Sequence, residues 1–145
     1  MPFFHDQSRD ELRRMYVDAW RKHRERLPME PLEAQIADVV ALHPEYHALF
    51  DDPERALHED FTPERGETNP FLHMGIHLAV REQVSTDRPP GIRSAYQTLV
   101  QRHGEHEAEH AIGECLGRAL WEAQRAGRAP DEQAYLESVL RLVRR

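Results

Sequence analysis

Apolar residues recur at helical intervals along this chain, and no segment alternates with the period of two that a strand requires. Leu12, Met15, Tyr16, Ala19 and Trp20 mark a first amphipathic helix, with Ser8 or Asp6 as its cap. Pro31 stands in the favoured first-turn position of a second helix, which would turn Leu32, Ile36, Val39 and Val40 inward. Pro44 has no amide donor and crowds the turn before it, so a break is expected at His43, with a short new helix through Glu45 to Phe50. Asn69-Pro70 is a strong helix start, and the segment from Phe71 to Val84 is apolar on nearly all sides in its first half, as suits the centre of a bundle.

The turn Asp87-Arg88-Pro89-Pro90-Gly91 precedes a helix carrying Ile92, Ala95, Tyr96, Leu99 and Val100, which ends near Gly104. Another runs from about Glu105 to Ala126 with Ile112, Leu116, Ala119, Leu120 and Trp121, and stops at Gly127. The last follows Pro130 and packs Tyr135, Leu136, Val139, Leu140 and Val143. The expected fold is all-α, a compact bundle of about five or six helices forming a single domain over residues 1–145. Residues 51–68, rich in Asp, Pro, Glu and Arg, are expected as a surface connection containing one turn of helix.

Composition removes several function classes. Net charge is −7, the cations are scattered, and all but Lys22 are arginine, so nucleic acid is not an expected partner. No apolar run approaches the roughly 20 residues that span a bilayer, so no membrane partner is expected either. The start, MPFFHDQSRDEL, lacks a basic stretch followed by an apolar one, and Cys115 is the single cysteine. These features predict a cytoplasmic protein without disulfides.

The unusual feature is ten histidines, of which His43–His47, His73–His77 and His106–His110 form pairs at i, i+4. Random placement would give roughly 0.7 such pairs. On a continuous helix this spacing sets two rings on one face, about 6 Å apart along the axis, where both can reach one ion. The first pair straddles the expected break at Pro44. The third lies in His106-Glu107-Ala108-Glu109-His110, which fits both the H-E-x-x-H zinc-protease pattern and its inverted form, and Glu114 extends the stripe. A match of that kind arises by chance in about one such sequence in twelve. Isolated histidines such as His5, His23, His58 and His103 read as satisfied core or surface residues, Cys115 as a buried structural thiol, and Trp20 and Trp121 as core.

Three functions follow. The first is a metal-binding bundle in which His73 and His77 face His106, His110 and Glu114, with His47 as a further ligand. The metal is zinc, iron or manganese, and the chemistry redox or hydrolytic, with Glu107 or Glu109 as the base. The second narrows this to a small zinc peptidase built on His106, Glu107 and His110. The third is a non-enzymatic structural or interaction protein with a buried His/Glu hydrogen-bond network. Glu67-Thr-Asn-Pro-Phe-Leu-His73-Met-Gly-Ile-His77-Leu-Ala-Val-Arg-Glu-Gln, the Asp87–Gly91 turn, and the run from Ala108-Glu-His110 through Glu114-Cys-Leu to Leu120-Trp-Glu-Ala-Gln124 also resemble a known bacterial family, domain of unknown function 1841. The resemblance implies one complete domain in a bacterial cytoplasm, and no activity.

Overall fold

A computed structural model of the chain describes residues 6–61 and 69–145, the side chains of residues 6–8 excepted. The described residues form eight α-helices and one 3-10 turn, with no strand among them. In chain order these are α1 (Asp6–Glu25), α2 (Pro31–Ala41), the 3-10 turn Pro44–Tyr46, α3 (His47–Phe50), α4 (Pro53–His58), α5 (Pro70–Thr86), α6 (Ile92–His103), α7 (Glu105–Ala126) and α8 (Glu132–Arg144). The count exceeds the expected five or six by two short helices: α3 falls within the short helix expected through Glu45 to Phe50, and α4 within the stretch expected as a surface connection. No helix among the described residues is long and apolar enough to cross a membrane.

Packing groups the chain into two units, Met1–Gly75 and Ile76–Arg145, and α5 runs through the division. In the first unit α1 buries Arg13, Tyr16, Val17, Ala19 and Trp20 and packs on α2, α3 and α4. That buried stripe leaves Leu12 and Met15, expected inside, 49% and 40% exposed at its rim. Leu32, also expected inside, is 51% exposed, while Ile36, Ala37, Val39 and Val40 are buried. The expected caps Asp6 and Ser8 lie outside the described side chains. α2 opens with Pro31 in its first turn, and the Glu33 carboxylate accepts from the Glu30 amide at 2.9 Å.

Within the stretch expected as a surface connection, Asp52 caps α4 by accepting from the Arg55 amide at 3.3 Å, and Pro53 follows at the first turn. Residues 62–68 of that stretch lie outside the described residues. The Arg13 guanidinium is buried at the far end of α4. It donates to the carbonyls of Ala56, Leu57 and Glu59 at 3.2, 3.4 and 2.7 Å, and sits 4.8 Å from the centre of the Phe71 ring. The carbonyls at a helix end have no partners within the helix, and a cation there meets both their hydrogen-bonding need and the negative end of the dipole.

In the second unit Val80, Ile92, Ala95, Leu99, Ala108, Ile112, Cys115, Leu116, Tyr135 and Val139 form one core, to which α5, α6, α7 and α8 all contribute. Gly104, at φ 87°, makes the corner between α6 and α7, and Gly127, at φ 66°, ends α7 where the sequence places its stop. Asp131 caps α8 by accepting from the Ala134 amide at 3.0 Å. Trp121, expected in the core, is 56% exposed with the Arg125 guanidinium 4.7 Å from its ring. It stands about two and a half turns from buried Ile112, which places it on the opposite face of α7.

Arg13→Ala is expected to destabilise the protein by about 2–4 kcal/mol, because it strips donors from carbonyls that folding has buried. Urea unfolding of parent and variant measures this. A loss below about 1 kcal/mol would show that water replaces the guanidinium without cost.

Candidate metal centre

Helix α5 carries His73 and His77 one turn apart. It begins where it does because Asn69 Oδ1 accepts from the amides of Phe71 and Leu72 at 2.9 and 3.3 Å, ahead of the first-turn Pro70. His43 lies two residues beyond the end of α2. Pro44 cannot continue that helix, so the chain turns, and the His43 ring folds back to donate Nδ1–H to the Val39 carbonyl at 2.7 Å. The His43 side chain is 3% exposed, and its ring meets that of His73 edge-on with centroids 5.0 Å apart. Tyr46 packs edge-on against His73 at 6.0 Å, and burial raises its pKa.

His77 is 2% exposed. Its Nδ1–H donates to Glu109 Oε1 on α7 at 2.7 Å, and the other oxygen, Glu109 Oε2, accepts from Arg81 Nε at 2.9 Å. Gly113, one turn beyond Glu109 on α7, faces Ile76 of α5 at this level. A Cβ at Gly113 would stand 3.2 Å from Ile76 Cγ2. Burial pushes the Glu109 carboxyl up, and the hydrogen bonds from His77 and Arg81 outweigh it, so the group lies below the ordinary carboxylate value.

One ligand atom from each of His43, His73 and His77 lies within 4.8 Å of the other two, and this is the one such group among the described residues. Two nitrogens at about 2.0–2.1 Å from a tetrahedral ion stand roughly 3.3 Å apart, so small side-chain rotations would close the group on one ion. The tautomers also suit it. His43 and His77 each commit Nδ1–H to an oxygen acceptor, which makes Nε2 the nitrogen that a metal would take.

The structure distributes the sequence-predicted residues unevenly. It brings His73 and His77 together with His43, which sequence reasoning passed over in favour of His47. His47 instead donates Nε2–H to the Val40 carbonyl at 2.8 Å and packs on Trp20 with ring centroids 4.6 Å apart. The signal that would have found His43 is Pro44 itself. A histidine at the last position before a proline stop can fold back onto the carbonyls that the broken helix leaves. His106 stacks parallel to His77 at 5.8 Å, and His110 lies 5.8 Å from His77 and 6.4 Å from His106, yet neither joins the close group. Glu114 is exposed and lies 3.5 Å from His110 Nδ1. Of the two predicted bases, Glu107 is exposed, whereas Glu109 is buried with both oxygens engaged. A carboxylate held in that way, with its pKa lowered, is a poor proton acceptor and a good anchor for a histidine.

The turn after α2 and helix α5 bring three imidazoles close together in an all-helical protein, as a candidate histidine metal centre. The chain belongs to the domain-of-unknown-function family DUF1841, whose model matches residues 8–141. No curated protein and no solved structure matches it.

The lowered Glu109 value carries a pH dependence. A carboxylate depressed below its ordinary 4.5 contributes stability that is present above about pH 4.5 and is lost as pH falls through the folded-state value. Glu109→Gln is therefore expected to be less stable than the parent at neutral pH, with the gap narrowing in acid. Urea unfolding across that range reads the difference, and a gap that does not change with pH would contradict it.

Proposed function

We propose that this protein binds one transition metal ion per chain through His43, His73 and His77. The observation that carries the reading is the convergence of three imidazole ligand atoms within 4.8 Å. It is supported by the acceptors that hold Nδ1 of His43 and His77. An all-imidazole set suits zinc or iron better than manganese, which favours carboxylate and water oxygens. Three neutral ligands leave a divalent ion its full charge and an open position, the arrangement that supplies Lewis-acid chemistry or activates water. The chain's own residues then hold and orient the rings: Val39 and Glu109 fix two of them, and Tyr46 packs against the third. The cytoplasmic setting expected from the sequence belongs to the same proposal, with Cys115 as a buried reduced thiol.

A second reading has its own support. The buried chain Arg81–Glu109–His77 is a satisfied polar network, and such a network can specify a core without any ion. Metal analysis separates the two. The metal reading predicts a stoichiometric ion in untagged protein, lost in His43→Ala and His73→Ala and retained in His47→Ala. Protein that remains metal-free after refolding with zinc, iron and manganese in turn would leave the network reading. Loss of the ion in His47→Ala with retention in His43→Ala would move the site.

A further inference from the structure

We infer that Glu109 is the positioning residue of this centre: by accepting His77 Nδ1–H it directs His77 Nε2 to the metal, and Arg81 holds it in place. The inference rests on the metal reading above and adds to it a residue outside the close histidine group. An imidazole has two nitrogens, and a ligand ring must present a bare one to the ion while its other nitrogen carries the proton. At His77 the choice is made before any ion arrives, because Glu109 Oε1 lies 2.7 Å from Nδ1 in a site where the two side chains are 2% and 8% exposed. An acceptor-only carboxylate can satisfy that nitrogen only if it bears the proton. The second oxygen is committed to Arg81 Nε at 2.9 Å, so Glu109 cannot swing about its own axis without breaking an ion pair. Arg81 and His77 stand one turn apart on α5, and Glu109 on α7 bridges them. The bridge therefore sets both the tautomer and the orientation of the ring.

A carboxylate in this position raises the basicity of the ligand and restricts its rotation, and loss of such a partner typically weakens metal binding by about 10- to 100-fold. The test uses the full chain and cobalt(II) as the probe, with its visible absorption as the readout. The parent is expected to bind one cobalt ion. Glu109→Gln should bind it about 10- to 100-fold more weakly with a shifted spectrum, because the amide can offer His77 Nδ1 either a carbonyl or an NH2 group. In the metal-free parent, nitrogen NMR is expected to show His77 protonated at Nδ1, a measurement that does not depend on the variant folding. A parent that binds cobalt while Glu109→Gln matches it in affinity and spectrum would overturn the inference alone. So would a metal-free parent in which His77 is protonated at Nε2. A parent that binds no cobalt would overturn the metal reading itself, and this inference with it.

Discussion

The hydrogen bond from His77 to Glu109 is the interaction on which the centre of the second unit depends. A buried carboxylate is costly unless its oxygens are met, and here each oxygen of Glu109 has a donor. The same bond answers the complementary need of a buried imidazole. It forms where α5 and α7 meet, one turn from Gly113, at which a Cβ would press on the Ile76 side chain. His43 obeys the same rule with a different acceptor: Pro44 ends α2, and the Val39 carbonyl takes the ring proton.

Much of the helical order was legible in the sequence because its punctuation is strong. Pro31, Asn69-Pro70, Gly104 and Gly127 each act through a backbone property that needs no tertiary partner, and helices begin or end at each of them. Rotation about the helix axis was less legible. On α1 the buried stripe includes Arg13, a residue that no apolar pattern would select, and so Leu12 and Met15 fall at the rim. Trp121 failed for a related reason, since a large aromatic on an amphipathic helix can cover surface beside an arginine as readily as it can enter a core.

The histidines divide along the same line. Spacing alone put His73 and His77 on one face of a helix, and that follows from helical geometry wherever the helix packs. Which other histidines approach them depends on how distant segments fold, and spacing carries no such information. His43 and His47 look equivalent as members of one pair. The break at Pro44 gives them opposite surroundings: one ring offers Nδ1–H to a carbonyl of α2 and joins His73, and the other offers Nε2–H and joins Trp20. Likewise the H-E-x-x-H string and its inverted form offered Glu107 and Glu109 alike as bases, and only the fold separates them: Glu107 is exposed, and Glu109 is buried against His77 and Arg81.

The central claim is that three imidazoles take one ion. X-ray absorption at the zinc edge of zinc-loaded protein tests it most directly, because imidazole rings scatter in a pattern that carboxylates and water do not share. The account predicts a first shell at about 2.0–2.1 Å with outer scattering from about three imidazoles. A first shell of oxygen alone, or one that includes sulfur or fits only a single ring, would contradict it.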